Sequence, residues 1–214
     1  MIQTVRLAPE VENFNSILKY HYTYGSCMMT DLERRMVGYL VLKSDTGRPI
    51  FEFGTWRGCT TAYLGETFPG KSIFTLDIKP SQVDCSSIDS FQRQELLPES
   101  EIGIEFRIKP HLLNIHQILT DSVLFDVNSI KESLPLDMVL IDGNHTAEYG
   151  LSDFAKAQAM LRPGGIIACH DFNPAHVVDC TKPNPGDAAT TIVSSTPLWE
   201  WLHVHDTAIV YTTV

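Results

Sequence analysis

Cysteine is scarce in this chain, and the few present follow no pattern. The five (Cys27, Cys59, Cys85, Cys169 and Cys180) are odd in number and never spaced as C-x-x-C, which argues against a zinc knuckle or a disulfide framework. Reduced thiols and a cytoplasmic protein are the expectation. Long apolar runs are missing too. No stretch nears the roughly 20 residues a membrane helix needs, and the opening MIQTVRLAPEVENF has no unbroken apolar core of the secretory kind. Positive charge is in deficit: 16 Lys and Arg against 26 Asp and Glu give a formal net charge of −10. Nucleic acid, whose phosphates call for a basic face, is therefore not an expected partner, and Arg34-Arg35 is only a short basic pair. Internal repeats and low-complexity tracts are also lacking.

What is there reads as one soluble α/β domain. At 214 residues and 43% hydrophobic content, the chain can bury a full core. The first fifty residues read as helical: Val11, Phe14, Ile17 and Leu18 share a face, and Thr30-x-x-Glu33 is a capping box that opens a helix through Leu42. We take residues 1–48 as amino-terminal helices on a lid or substrate side, and 49–214 as the core. From Pro49 onward, apolar runs of strand length recur at Ile50–Phe53, Ser72–Leu76, Ile115–Leu119, Met138–Ile141 and Ile166–Cys169. Helical stretches at Thr60–Phe68 and Thr146–Leu161 separate some of them, which predicts a parallel sheet covered on both faces. The polar segment Lys79–Glu105 breaks the rhythm as an insertion, with a short helix near Phe91–Leu96. Trp199–His203 and Thr207–Tyr211 read as a closing antiparallel pair around His205-Asp206.

The strand ends carry the chemistry. Gly54, Asp77, Asp121, Asp142 and His170-Asp171 each follow a predicted strand, and in a parallel sheet those ends share the edge where ligands bind. Strand-end aspartates also cap turns, but five polar or glycine strand ends in a row along one edge are harder to assign to capping alone. The first loop, Glu52-Phe53-Gly54-Thr55-Trp56-Arg57-Gly58, lets backbone approach a ligand; it offers neither the G-x-G-x-x-G of a dinucleotide fold nor a following Gly-Lys-Ser/Thr. Asp77 stands 19 residues after Gly58, where a carboxylate can accept both hydroxyl protons of a ribose. Asp142 and His145 leave one strand end, and His170 and Asp171 the next. Such a set can hold a divalent cation, supply a general base, or merely cap turns. His21, Tyr22 and Tyr24, near Met28 and Met29, read better as a packed helix end than as a pocket. Trp199 and Trp201 read as packing, and the remaining histidines have no spacing that favours a role.

The motifs FEFGTWRGCTTAYL, FTLDI, LTDS, LDMVLIDGNHTAEY and LRPGGIIACHDF, spanning Phe51 to Phe172, resemble the class I S-adenosylmethionine-dependent methyltransferases. The likeness is to the branch of macrocin-type O-methyltransferases and cephalosporin hydroxylase-like proteins. The resemblance implies a Rossmann-like sheet of seven strands, the last antiparallel. It implies S-adenosylmethionine as cofactor, with Glu52, Gly54 and Gly58 around its methionine end, Asp77 on the ribose, Asp121 and Ser122 at the adenine, and Asp142 as a further cofactor-binding residue. The related catechol O-methyltransferases hold Mg²⁺ at the positions of Asp142, His170 and Asp171. There the last two are an acid and an amide, so here the metal is open. On this reading Asp142, His145 and His170 are the catalytic candidates, and the substrate is a small hydroxylated metabolite or sugar that is O-methylated. Many relatives associate, so a homo-oligomer is compatible. The alternatives are an NAD(P)-dependent oxidoreductase, against which the missing third glycine counts, and a Rossmann-like binding protein without activity.

Overall fold

The computed structural model describes residues 2–5, 28–83, 96–173 and 188–214. The predicted helical face at Val11 to Leu18, His21, Tyr22 and Tyr24, and most of the helix placed near Phe91–Leu96 lie outside them. The elements in chain order are β1 (Ile2–Val5), α1 (Asp31–Ser44), β2 (Ile50–Phe53), α2 (Cys59–Thr67), β3 (Ile73–Asp77), α3 (Ile104–Arg107), β4 (Ile115–Leu119), β5 (Leu136–Ile141), α4 (Ala147–Met160), β6 (Leu161–Cys169), α5 (Ala188–Ser195), β7 (Trp201–Val204) and β8 (Val210–Thr213). Short 3₁₀ turns at Pro80–Gln82 and Val127–Ser133 complete the set.

All eight strands form one sheet in the order β1-β7-β8-β6-β5-β2-β3-β4. Only β8 runs against the others, pairing antiparallel with both β6 and β7. The expected mostly parallel sheet with an antiparallel last strand is therefore present, with eight strands where seven were expected. The addition is β1, which pairs parallel with β7 through Ile2↔Trp201 to Val5↔Val204. That stretch was read as helical. Its four residues are too few to show a period, and the half-buried edge position leaves Gln3 and Thr4 exposed.

Strand alternation sorts the core onto two faces. Phe51, Phe53, Val139, Ile141 and Ile167 pack with Phe154, Ala157 and Met160 of α4 and Ile192 of α5. Ile50, Ile73, Met138, Leu140 and Ile166 pack on the other side with Met36, Val37, Leu40 and Val41 of α1 and Leu64 of α2. Full burial of each such side chain contributes roughly 1.5–3 kcal/mol. Helix α1 starts where its sequence says: Thr30 Oγ1 accepts from Glu33 N, and Glu33 Oε2 accepts from Thr30 N at 2.8 Å.

Beneath the sheet, at the end remote from the glycine loop, Asp137 is fully buried and collects five donors. They are Thr46 N at 2.9 Å, Thr46 Oγ1 at 2.6 Å, Arg48 N at 2.9 Å, Lys71 Nζ at 3.0 Å and Arg162 Nε at 2.8 Å. Burial opposes the charge, but these donors outweigh it and hold the carboxyl well below the usual range. The expectation that the chain offers no Gly-Lys-Ser/Thr is corrected by Gly70-Lys71-Ser72, which the Lys71 ion pairs explain as structural. Gly65 to Ser72 has the G-x₄-G-K-S spacing of a phosphate loop, yet it leaves helix α2 and enters strand β3, the reverse of that motif's order. Its lysine is spent on Asp45 and Asp137. The cysteine expectation needs a correction as well: Cys169 is free and buried, but Cys59 is disulfide-bonded. Sequence spacing carries no information about which loops fold together. No helix among the described residues is long and apolar enough to cross a membrane.

Candidate active site

Strands β2, β3, β4, β5 and β6 end along one edge, above a cavity of about 870 Å³. Glu52, Gly54, Asp77, Asp121, Ser122, Asp142, His145, His170 and Asp171 all line it, as the positional argument expected. Gly58 is set apart. It begins α2 facing the insertion, where an added β-carbon would meet the Phe106 ring at 2.6 Å.

The loop after β2 is built by close approach. Gly54 has φ +94°, and a β-carbon there would stand 2.0 Å from the Asp142 carbonyl oxygen, so only glycine lets the two strand ends touch. Trp56, which also lines the cavity, is held at φ 44°, a conformation a large side chain adopts only when its surroundings enforce it. Part of that enforcement comes from Asp77. Its Oδ2 accepts from Trp56 N at 2.6 Å and its Oδ1 from Ile78 N at 2.7 Å. Burial raises the Asp77 carboxyl despite these donors. Glu52, deeper in, accepts from Thr61 and, at 2.7 Å, from Thr75. Burial pushes it up to about 8, with Asp142 and Asp77 adding to the effect.

On the far wall, Asp121 accepts from Val123 N at 2.9 Å and from the Tyr149 hydroxyl at 3.0 Å. Burial first and Asp121 second push that phenol up to about 12. Tyr149 and Asp153 stand four apart on α4 and both line the cavity. That spacing downstream of a strand-end aspartate was the available sequence signal for them.

Between β5 and β6 lies a charge cluster. His170 Nδ1 sits 3.0 Å from Asp142 Oδ1 and 3.1 Å from Asp171 Oδ1, while its Nε2 is 3.5 Å from Glu33 Oε2. Burial alone would lower this imidazole, but the three carboxylates outweigh it and hold the ring well above the ordinary histidine range. Asp171, at φ 60°, turns its other oxygen to His145 Nε2 at 2.9 Å. Glu33 was read only as a cap; its second oxygen accepts from Ala208 N at 2.8 Å, so one side chain joins α1, the β7–β8 turn and the cluster. Asp142, His170 and Asp171 offer ligand atoms within 4.8 Å of one another. The two carboxylates suit a divalent cation, and the imidazole joins them only in its neutral form, in which its nitrogen admits Mn²⁺ or Zn²⁺ beside Mg²⁺.

A family model described as a methyltransferase domain matches residues 51–172, more than half of the chain. No curated protein matches in sequence. Among solved structures, an O-methyltransferase from Bacillus cereus in complex with SAH aligns over 96% of this chain and 90% of its own, at 16% identity and TM-score 0.54. The O-methyltransferase TomG from Streptomyces achromogenes, solved with SAM, covers 86% of this chain and 81% of its own at 15% identity and TM-score 0.55. MycE of the mycinamycin biosynthetic pathway, solved with Mg and SAH, covers 87% of this chain and 50% of its own at 16% identity and TM-score 0.53. At such identities these structures speak for the fold. With the family match over the motif-bearing core, the chain belongs to the methyltransferase domain family, as a class I S-adenosylmethionine-dependent enzyme.

Proposed function

We propose that this methyltransferase moves the cofactor's S-methyl group to a hydroxyl oxygen of a small metabolite or sugar. The observation carrying this reading is that the glycine loop, Asp77 and the His145–Asp171 pair face one cavity from neighbouring strand ends. The cofactor lies along the β2–β4 side, with its ribose hydroxyls on Asp77. The acceptor enters beside His145. Met28, Met29 and Leu96 also line the cavity, so the amino-terminal segment and the insertion both reach it.

Displacement at a sulfonium carbon needs an in-line nucleophile and loss of its proton. Holding the reactants together supplies on the order of 7–11 kcal/mol at best. A carboxylate only accepts hydrogen bonds, so Asp171 places the proton of neutral His145 on Nε2 and leaves Nδ1 as the basic nitrogen. His145 then takes the acceptor's proton as general base. His170, whose Nδ1 is already shared between Asp142 and Asp171, is the less suited base and instead compensates their charge. A divalent cation held by Asp142 and Asp171, with His170 joining as a ligand only on giving up its Nδ1 proton, would polarise the acceptor oxygen.

Calorimetric titration with S-adenosylhomocysteine tests the assignment. Micromolar binding is expected, weakened about tenfold or more by Asp77→Asn, together with methyl transfer from labelled cofactor to members of a hydroxylated acceptor panel. Binding of NADH in place of the homocysteine analogue would overturn it.

A further inference from the structure

Glu33, on α1, is a carboxylate that the reaction above gives no part, and it meets the charge cluster from behind His170. The two nitrogens of that ring look in different directions. Nδ1 faces Asp142 and Asp171, at 3.0 and 3.1 Å, and its lone pair converges with their oxygens on one candidate cation position. Nε2 is buried and makes no hydrogen bond of ordinary geometry among the described residues. The carboxylate it faces is Glu33 Oε2, 3.5 Å away, and both side chains are only 8% exposed. A buried N–H in that state costs free energy unless an acceptor is supplied. Glu33 is itself held in place: Oε2 accepts from Thr30 N at 2.8 Å and Thr30 Oγ1 at 2.7 Å, and Oε1 from Ala208 N at 2.8 Å. A carboxylate has about four acceptor sites, so one is left for the imidazole. Closing the gap to a charge-assisted hydrogen bond needs a shift of roughly 0.6 Å.

Resting on the divalent-cation reading of Asp142, His170 and Asp171, we infer that Glu33 is a positioning residue: it keeps the ring hydrogen of His170 on Nε2 and so turns the Nδ1 lone pair to the cation. A neutral imidazole places its one hydrogen on either nitrogen. Asp142 and Asp171 draw it to Nδ1, where it would stand in the way of the ion, and Glu33 draws it to the opposite side. When the ion takes the Nδ1 lone pair, the hydrogen there leaves to solvent as a proton, and the one on Nε2 stays between the ring and Glu33. Histidines that ligate metals almost always donate their other N–H to a carboxylate, a carbonyl or water, which fixes the ring and raises its basicity. Capping of α1 calls only for the contacts with Thr30. The contacts with Ala208 and His170 come from strands on the far side of the chain, and they aim the carboxylate at the ring.

The test uses Mn²⁺ as the probe ion on the full chain, with affinity read by paramagnetic resonance titration and the bound atoms by spin-echo modulation. The wild type is expected to show one directly bound histidine nitrogen. In protein made with histidine labelled with ¹⁵N at Nδ1 alone, that modulation should change to the ¹⁵N pattern, and His170→Asn should abolish it. Glu33→Gln keeps the length of the side chain and its capping ability but removes the charge. It should weaken Mn²⁺ about 10- to 100-fold, as loss of a carboxylate behind a ligating histidine does, and diminish the nitrogen signal. Thr30→Ala loosens the same helix start while leaving Glu33 opposite the ring, so its Mn²⁺ affinity should stay within about twofold of wild type with the nitrogen in place. Equal losses in the two variants would make Glu33 a helix cap and nothing more. Wild-type affinity in Glu33→Gln would also overturn the inference, as would a wild-type spectrum with no bound nitrogen or with Nε2 as the bound atom, which needs no folded variant. Each of these leaves the cation reading standing. Failure of the wild type to bind Mn²⁺ at millimolar concentration would bring down both and leave methyl transfer untouched.

Discussion

His145 is paired with Asp171 through Nε2, and the proposed role as base predicts that its substitution separates chemistry from binding. With His145→Asn the turnover of methyl transfer is expected to fall about 10²- to 10⁴-fold, the range that general bases contribute. Affinity for S-adenosylhomocysteine should stay within about twofold, because no cofactor contact is lost. Initial rates beside calorimetry check this, and a parallel loss of both would make His145 a binding residue. Glu52 carries a pH signature. Burial raises its carboxyl to about 8 in the fold, from an ordinary 4.5, so the folded chain holds a proton that the unfolded chain releases. That contribution is fully present below about pH 4.5 and is lost as pH rises through about 8. Urea unfolding of the unliganded protein should show wild type losing stability relative to Glu52→Gln between pH 5 and pH 8.5. At this scale the strand-end residues were legible because position along a parallel sheet constrains them. Asp153 and Glu33 were not: a helix residue declares its spacing but not the strand end it meets, and Glu33 looked complete as a cap.

Legibility among the elements followed length and context. Ile50–Phe53 and Ile115–Leu119 coincide with the observed β2 and β4, and the Thr30 box fixed the start of α1. Strand β6 begins five residues before the expected Ile166, at Leu161. Arg162-Pro163-Gly164-Gly165 looks like a turn, but tertiary pairing of Leu161 with Leu136 draws it into the strand across a shift in register. The glycine loop offers a direct check on close approach. Gly47 and Gly54 both have φ near +90°, yet a β-carbon on Gly47 meets nothing within 4 Å whereas one on Gly54 strikes the Asp142 carbonyl. Gly47→Ala is expected to cost about 1 kcal/mol from backbone strain alone. Gly54→Ala should cost at least about 2 kcal/mol more, because β2 and β5 must part. Equal costs in chemical denaturation would show that the strand ends have slack.

Across the whole molecule, Asp137 ties the turn before β2, the entry to β3 and the start of β6 through its five donors. Removing one partner from a buried charged network costs about 3–5 kcal/mol. Asp137→Ala should therefore lower the melting temperature by roughly 6–20 °C for a chain of this size, measurable by calorimetry. A shift under about 2 °C would mean that Arg162 and Lys71 find other partners. The sequence showed Asp137 only as a polar residue in an apolar run, since its donors come from segments up to 91 residues away.

His170 N–H donates to the Ile141 carbonyl at 3.0 Å, and Asp142 N–H to that of Phe53 at 2.9 Å. Asp142 and His170 are thus spaced by the rungs of the sheet. Loops that follow these strand ends can be rebuilt or lengthened without disturbing that spacing, so a frame of this kind leaves its outer walls free to diverge while the two strand-end side chains keep their distance.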